Sequence, residues 1–418
     1  MNLKGNFMIY RKRIAQKRVN ELAKLFKIVL ITGARQVGKS SLLAHLFPNI
    51  PIFVFDPVQD LYGARADPDL FLTNFPAPII LDEIQYVPEL LPALKRKVDR
   101  SQQNGQYFLT GSQQLSVLKT VSESLAGRVG IIELGPMVPQ EQYGAPLTNN
   151  WLERYLSNPH EFQKQFKGVM SSVPSLYDTL WRGGMPGILE IPDQSVADYF
   201  SSYVQTYVER DVRLLENIQD VTSFGRFFSL LSALTAQEIN FSQLGREIGI
   251  SPSTAQRWLN VLRYTYQWHE VWPYHGSTIK RISSKPKGFL SDTGMICYMQ
   301  RISSAQALGG NPLLGALFES FCFSIIKGLS NDLSVAPYFY HWRTAAGAEV
   351  DLVLERDGNL YPIEIKCKTN ITGHDIRGMH AFRQTYAEKH VMPGLIIYAG
   401  SACYWIDEHT IAFPWHSQ

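Results

Sequence analysis

Short apolar runs alternate with helical stretches over about the first third of the chain. The apolar runs are KIVLITG, PIFVF, PIILDE, YFLTGS and GIIEL, and segments such as SLLAHLF and LPALKRKV lie between them with the spacing of helices. Apolar strands that alternate with helices are typical of a parallel sheet buried on both faces. The pattern therefore predicts an α/β core over residues 1–145.

The pattern changes beyond this core, and it predicts three further parts. Residues 146–220 are helical and rich in aromatic side chains. Residues 221–285 contain NFSQLGREIGISPSTAQRWLNVL, for which we expect a short helix, a turn at Gly249 and a second helix that opens at Ser251 or Ser253. Residues 286–418 return to mixed strands and helices. We therefore expect an α/β core, a helical region, a winged helix-turn-helix and a C-terminal mixed α/β domain.

Composition narrows the class of protein. The 418 residues carry 40 Lys and Arg against 37 Asp and Glu, a net charge of +3, which excludes a histone-like polycation and an acidic tail protein. The 45% of hydrophobic residues excludes a disordered chain. The four cysteines form no CxxC pair, which argues against a zinc site or a disulfide scaffold. Because the chain also lacks a secretory signal and an apolar segment of ~20 residues, we expect a cytoplasmic protein with no membrane partner.

A phosphate-binding motif follows the first predicted strand. The segment GARQVGKS matches G-x-x-x-x-G-K-[ST], and a chance match in a chain of this length is on the order of 1%. Its glycines allow backbone N–H groups to point at phosphate oxygens, and the next helix offers its positive end to the same anion. Lys39 is expected to reach the β- and γ-phosphates of ATP, and Ser40 to ligate Mg²⁺. The predicted nucleotide-binding residues are Gly33, Ala34, Arg35, Gln36, Val37, Gly38, Lys39, Ser40 and Ser41.

Two carboxylates at the end of PIILDE complete such a site. Asp82 is expected to join Ser40 in the magnesium shell, and Glu83 to orient and deprotonate the attacking water. The other interpretation is a solvated strand end, and the phosphate-binding motif upstream argues against it. We therefore predict an ATP-hydrolysing site that uses Mg²⁺.

Two further positions leave alternatives open. In YFLTGS, the Thr110 hydroxyl could read the γ-phosphate, or Thr110 or Ser112 could cap the next helix. In SLAGR, Arg128 could stabilise transition-state charge in the site of a neighbouring subunit, or it could pair with an acidic neighbour. A role of Arg128 in a neighbouring site would require a homo-oligomer.

These motifs resemble those of the AAA-type P-loop ATPases, and specifically a prokaryotic group in which this core is fused to a C-terminal domain of unknown function. The resemblance rests on GARQVGKSSLL, IILDEIQ, FLTGS and SLAGR in the core, and on RGGMP, YVERDVR and KPKGFLSDTG downstream. It covers nearly the whole chain from Met8. It implies nucleotide binding and a prokaryotic origin, and it leaves the cellular task open.

The helix-turn-helix segment has one apolar face and one polar face. The apolar positions are Phe241, Leu244, Ile248, Ile250, Ala255, Trp258, Leu259 and Leu262. The second helix, which enters the major groove in DNA readers, would then expose Ser253, Thr254, Gln256 and Arg257. A wing-like hairpin would add phosphate contacts from Lys280, Arg281, Lys285 and Lys287. DNA is the expected partner, and contact with the core or with a protein partner is the alternative.

Carboxylates and a lysine follow strand periodicity near the C-terminus. AEVDLVLE and YPIEIK flank an Asp-Gly turn, so Asp351, Glu364 and Lys366 are expected on one face of a hairpin. Two carboxylates can hold Mg²⁺ against a scissile phosphate, and the lysine can orient the attacking water. This is similar to the PD-(D/E)xK nuclease pattern, in which Glu319 would supply a further metal-binding acid. The alternatives are an ordinary surface hairpin and a nuclease-like fold retained for binding alone.

We consider two functions of different classes. The first is an ATPase whose nucleotide cycle moves or regulates a DNA-binding, nuclease-like C-terminal module that could also cleave DNA with a metal. The second is a nucleotide-controlled switch or scaffold that binds a protein partner and carries an inactive nuclease-like domain. A small-molecule kinase is disfavoured because no acceptor pocket is legible in the sequence. Stimulation of ATP hydrolysis by DNA would separate the first two.

Overall fold

The computed structural model describes residues 10–112, 125–144, 150–207, 212, 218, 220–275 and 285–417. The chain divides into two compact units. Unit 1 consists of Met1–Met137, Met185–Ile191 and Arg263–Tyr266. Unit 2 consists of Val138–Gly184, Pro192–Leu262 and Gln267–Gln418. The four-part division drawn from the sequence stays a prediction.

Unit 1 is built on a five-stranded sheet in which every pairing is parallel. Its strands are β1 (Ile28–Thr32), β2 (Ile52–Val54), β3 (Ile79–Asp82), β4 (Tyr107–Gly111) and β5 (Val129–Glu133). The strand order is β2-β3-β4-β1-β5. The three inner strands are buried along their whole length, whereas the edge strands β2 and β5 are partly exposed. Burial on both faces is what a parallel sheet requires, and the predicted α/β core is confirmed.

Helices surround this sheet and supply its apolar cover. The α-helices of unit 1 are Ala15–Leu25, Lys39–Leu46, Pro68–Asn74 and Leu90–Asp99. Its short 3₁₀ helices are Leu61–Gly63, Ile84–Tyr86 and Pro186–Ile188. The helix Leu90–Asp99 buries Leu90, Leu91, Ala93, Leu94 and Val98 in the same apolar cluster as Ile79 and Leu81 of β3. This packing holds β3 in place, and the polar residues described below lie at the carboxyl end of that strand.

Unit 2 contains a mixed sheet of ten strands. They are β6 (Gln237–Glu238), β7 (Trp268–Pro273), β8 (Lys287–Leu290), β9 (Tyr338–Arg343), β10 (Glu349–Arg356), β11 (Asn359–Lys366), β12 (His390–Val391), β13 (Gly394–Tyr398), β14 (Tyr404–Asp407) and β15 (Thr410–Pro414). The order is β14-β15-β13-β11-β10-β9-β7-β8-β6, and β12 pairs with β11. β7 and β9 pair in parallel, so one sheet joins the small strands near the helix-turn-helix to the C-terminal strands.

The helices of unit 2 lie between and beside these strands. They are Pro139–Gln142, Trp151–Ser157, Leu176–Arg182, Val196–Tyr207, Val221–Ala233, Phe241–Ile248, Pro252–Tyr264, Thr293–Met299, Leu314–Ser330 and Arg377–Thr385, of which Pro252–Tyr264 ends in a segment of unit 1. Short 3₁₀ helices lie at Gln163–Gln165, Asp193–Ser195 and Gln306–Leu308. Within the described ranges, none of the helices is long and apolar enough to cross a membrane.

The first three residues of the RGGMP motif and the SDTG motif meet inside unit 2. Asp292 caps the helix Thr293–Met299 by accepting a hydrogen bond from the Met295 N–H at 2.9 Å. Its second oxygen accepts the N–H of Gly184 at 2.7 Å. A buried carboxylate that satisfies two backbone donors fixes both segments, so these motifs act in the architecture of unit 2.

Candidate functional site

The predicted phosphate-binding loop connects β1 to the helix Lys39–Leu46. Gly33 has a φ of 141°, and a Cβ there would lie 2.1 Å from the Leu134 carbonyl oxygen, so only glycine fits. The loop carries Lys39 into a buried position, where its ammonium donates to the carbonyl oxygens of Gly33 at 3.0 Å and Ala34 at 2.8 Å. The loop therefore holds a positive charge at the amino end of a helix, which is an arrangement that binds phosphate.

Asp82 and Ser40 meet although they come from separated segments. β4 lies between β1 and β3, and the Ser40 hydroxyl donates to the two oxygens of Asp82 at 2.7 and 2.8 Å. Adjacent ligand oxygens of an octahedral Mg²⁺ with ~2.1 Å bonds lie ~3 Å apart. A hydroxyl and a carboxylate already in contact match that spacing, so these two residues fit a shared magnesium ion.

Glu83 is held beside this pair by four neighbouring groups. Its backbone has a left-handed φ of 59°, a conformation that is strained for a side chain of this type. Its carboxylate accepts hydrogen bonds from Gln85 and from the Ser112 hydroxyl, the latter at 3.1 Å, and lies 3.6 Å from the Arg35 guanidinium. Burial alone would raise the pKa of Glu83, but Lys39 and Arg35, helped by these hydrogen bonds, outweigh it and lower the pKa. Glu83 is therefore ionised at neutral pH.

Thr110 links the two acids. Its hydroxyl donates to Asp82 and accepts the backbone N–H of Glu83 at 3.0 Å. The residue is fully buried at the level of Asp82, so its hydroxyl belongs to this site. The alternative, in which Thr110 or Ser112 caps the next helix, concerns residues outside the described ranges. The γ-phosphate contact of Thr110 stays a prediction.

Arg128 lies at the opposite end of the sheet from the loop. Its guanidinium forms an ion pair with Asp99, which lowers the pKa of Asp99, and the Ile28 N–H donates to its carbonyl at 3.2 Å. Ile28 is the first residue of the five-residue strand β1, whereas the loop follows the last, ~16 Å away. Asp99 is thus the acidic neighbour with which Arg128 pairs in one of the two alternatives drawn from the sequence. The same geometry leaves Arg128 no access to the phosphate loop of its own chain.

A cavity of about 160 Å³ borders the loop, and the sequence reasoning missed it. Its lining includes Tyr10, Arg13, Ser41, Leu189 and Glu190. Arg13 is buried and donates to the carbonyl oxygens of Val37 at 2.6 Å and Gly135 at 2.7 Å, which fixes the N-terminal segment against the loop. These residues come from three distant parts of the chain, and of them only Ser41 belongs to the predicted nucleotide-binding segment, so no local motif marks the others.

The helix-turn-helix segment has the predicted division between packed and exposed faces. Of the eight predicted apolar positions, five are buried and three are half-buried. The buried ones are Leu244, Ala255, Trp258, Leu259 and Leu262, and the half-buried ones are Phe241, Ile248 and Ile250. The Trp258 ring contacts the rings of Phe224 and Phe227, and Ser251 caps the second helix by accepting the Thr254 N–H at 3.1 Å. Of the four positions predicted to be exposed, Ser253, Gln256 and Arg257 are exposed and Thr254 is half-buried. β8 pairs antiparallel with β6 on one side and β7 on the other.

The C-terminal hairpin is formed by β10 and β11, with Leu352 opposite Ile363. Asp351 and Glu364 both contact the Lys366 ammonium, which lies 3.8 Å from Asp351, so the three predicted residues share one face. The Ile365 N–H donates to Asp351 at 2.9 Å. Burial and the neighbouring Asp351 raise the pKa of Glu364.

Lys287 joins this cluster from β8. Its ammonium contacts Glu319 and lies 3.3 Å from Asp351, and its side chain is only 13% exposed. Burial opposes its charge, but these two carboxylates together raise the pKa of Lys287. The prediction that Lys287 contacts phosphates from an exposed wing is therefore wrong. Lys285 is exposed, and Lys280 and Arg281 lie outside the described residues.

The three carboxylates of this cluster do not fit a divalent ion as they stand. The position between Glu319 and Asp351 is occupied by the Lys287 ammonium. In the part of the chain that the structure describes, no group of three or more His, Cys, Asp or Glu side chains is arranged to hold a metal ion. The metal-binding roles of Glu319, Asp351 and Glu364 stay predictions.

Three family models match successive parts of the chain. A family model described as an AAA domain matches residues 25–143, and two domains of unknown function, DUF8612 and DUF4143, match residues 173–306 and 314–417. Uncharacterised proteins of Mycobacterium bovis and Mycobacterium tuberculosis are each 30% identical over 362 residues, which are 86% of this chain and 74% of theirs. A Walker-type ATPase of Pyrococcus abyssi is 15% identical, with 72% of this chain and 99% of that chain covered at a TM-score of 0.44.

Proposed function

Because this chain belongs to the same family as the two mycobacterial proteins and is a P-loop ATPase of the AAA type, we propose that its ATP cycle controls DNA binding by the downstream module. The observation that carries the ATPase part of the proposal is the contact of Ser40 with Asp82, with Glu83 held beside it. The DNA-binding part is supported by the exposed side chains of the helix-turn-helix segment. Two side chains that can bind one Mg²⁺ and an adjacent ionised carboxylate are what hydrolysis of a phosphoanhydride requires.

In this proposal, each residue of the phosphate site has a separate task. Lys39 and the loop N–H groups bind the β- and γ-phosphates, and Ser40 and Asp82 hold Mg²⁺, which neutralises phosphate charge when bound. Glu83 orients the attacking water and accepts its proton. Thr110 keeps Asp82 and the Glu83 backbone in register through its two hydrogen bonds.

The cavity beside the loop supports a site for the nucleoside. Phosphates seated on the loop place the rest of the nucleotide near Ser41, which is both a loop neighbour and a wall of the cavity. Apolar and polar side chains share that wall, as Leu189 and Glu190 do, and ligand pockets commonly combine the two. We assign the base and ribose to this cavity.

The order and pairing of elements support a winged helix in unit 2. The helices Val221–Ala233, Phe241–Ile248 and Pro252–Tyr264 are interleaved with β6 and followed by β7 and β8, which form a small antiparallel sheet. Gln256 and Arg257 are exposed on the second helix of the helix-turn-helix, where a DNA reader presents its base-contacting residues. DNA is therefore the partner we propose for this segment.

The C-terminal hairpin supports a nuclease-like domain, and we propose that it serves in binding. Asp351, Glu364 and Lys366 lie on one face as a PD-(D/E)xK pattern requires. Since the carboxylates do not fit a metal in this arrangement, we derive no cleavage step. We also propose a homo-oligomer. Arg128 is too far from the phosphate loop of its own chain, so a catalytic role of this residue requires the ATP site of a neighbouring chain.

The test is ATP hydrolysis by the purified full-length protein with and without single-stranded, duplex and branched DNA. The proposal expects hydrolysis without DNA and a several-fold change in its rate with at least one DNA. Hydrolysis that no DNA changes would favour the alternative, a nucleotide-controlled switch that binds a protein partner. Absence of hydrolysis under all conditions would contradict the role of Glu83.

A further inference from the structure

We propose that Lys287 is a built-in cation that closes the C-terminal carboxylate site to divalent metal ions. The inference concerns unit 2 alone and goes beyond the proposed ATP-dependent DNA binding. Lys287 is the first residue of β8, and its side chain reaches Glu319 on the helix Leu314–Ser330 and Asp351 on β10. It thus stands where a metal would have to contact these two acids.

The surroundings are built for a cation. The side chains of Asp351 and Glu364 are only 7% and 5% exposed, and that of Glu319 is 13% exposed. Within the described chain, the Oε2 atom of Glu364 is buried and has no hydrogen-bond partner. A buried carboxylate oxygen without a donor costs free energy, so this oxygen points to a cationic ligand that the lysines only partly replace.

The charges of this cluster explain why one lysine can decide whether the site is closed or open to a metal ion. The cluster contains the carboxylates Glu319, Asp351 and Glu364 and the ammonium groups Lys287 and Lys366. The Lys287 ammonium places one positive charge directly between Glu319 and Asp351. Its removal leaves these two acids without that charge, and a divalent ion in the same place would supply it again. Lys287 therefore competes with the metal both for space and for charge.

The experiment measures Mn²⁺ binding to the nucleotide-free, full-length protein by the electron paramagnetic resonance signal of free Mn²⁺. Lys287→Met removes the ammonium and keeps the length of the side chain, and Lys287→Gln is a second variant in case the first does not fold. Lys368→Met is the matched control, because Lys368 is ion-paired with Asp375 outside the cluster. The double variant Lys287→Met/Asp351→Asn removes one acid of the opened site.

The proposal expects one additional Mn²⁺ site in the Lys287 variants, which in the wild type is absent or at least about tenfold weaker, since an ammonium a few ångströms from the metal is lost in the variants. Lys368→Met should bind as the wild type does, and the double variant should lose the additional site. Equal binding by the wild type and the Lys287 variants would overturn the proposal. So would an absence of binding in both, or an additional site that survives Asp351→Asn.

Discussion

At the scale of single residues, Lys39 and Glu83 separate nucleotide binding from hydrolysis. Lys39→Ala removes a buried positive charge from the phosphate loop, so ATP affinity should fall about 10- to 100-fold.

Glu83→Gln keeps the shape of the side chain but cannot accept a proton, so it should bind ATP normally and hydrolyse it at least about 100-fold more slowly. Titration with a fluorescent ATP analogue and a phosphate-release assay measure the two effects. Lys24→Ala, on an exposed helical surface, is the control. Hydrolysis at the wild-type rate by Glu83→Gln would show that Glu83 is not the base that accepts the proton of the attacking water.

Arg35 should set the acid limit of hydrolysis. Its guanidinium lowers the pKa of Glu83, although Lys39 has the larger effect among the nearby charges. Arg35→Met should therefore raise the pKa of Glu83, and since the base must be ionised, the acid limb of the rate profile should move to higher pH. The variant should lose more activity at pH 6 than at pH 8, and Arg35→Lys should restore part of the difference. An unshifted limb in a nucleotide-saturated assay would show that Arg35 does not tune this carboxylate.

These residues differ in how far the sequence could predict them. The sequence places Asp82 and Glu83 in the ATP site because they come at the end of an apolar strand in a chain that already has a phosphate-binding motif. The contact of Arg35 with Glu83 was not predictable, since the two residues are far apart in sequence and only the strand order brings them together. Lys287 was misassigned for the same reason: its partners Glu319 and Asp351 follow it at a distance, and local charge favoured a surface position.

At the scale of elements, the second helix of the helix-turn-helix carries the DNA prediction. Arg257 is exposed on that helix, and Arg246 is exposed on the first helix. Arg257→Ala should weaken DNA binding about 5- to 150-fold, because it removes a charged contact at the base-reading surface. Arg246→Ala, which removes the same charge from the other helix, should have a smaller effect. Fluorescence anisotropy with labelled duplex DNA measures both, and equal losses would indicate nonspecific attraction instead.

The elements themselves were easier to predict than their neighbours in the sheet. Apolar runs predicted each strand of unit 1, and the Asp-Gly turn predicted the β10–β11 hairpin. The insertion of β4 between β1 and β3 was not predictable, because periodicity reports which face is buried and not which strand lies beside it. The same limit hid the pairing of β7 with β9, which continues the C-terminal sheet toward the helix-turn-helix.

At the scale of the whole molecule, Arg128 gives a test of assembly. Because it cannot reach the loop of its own chain, any catalytic role requires a second chain. Arg128→Ala should then bind ATP normally and lose hydrolysis, and a mixture with Lys39→Ala should recover part of the activity as composite sites regain both groups. Asp99→Asn, which breaks the ion pair and keeps the arginine, is the matched control and should remain active. A monomer in ATP by light scattering, with no recovery in the mixture, would leave Arg128 a structural partner of Asp99.

The central claim is that the ATP-bound state and DNA binding are coupled, and one measurement addresses it most directly. Coupling between two ligands is reciprocal, so a nucleotide that changes DNA affinity must be changed in its own affinity by DNA. The Glu83→Gln chain holds ATP without turnover, so its DNA affinity can be measured by anisotropy with ATP and Mg²⁺ and without nucleotide. The account predicts a difference of about 5- to 150-fold between these two conditions, and no difference in Lys39→Ala. The same DNA affinity in both conditions, with ATP binding verified in the same sample, would contradict it.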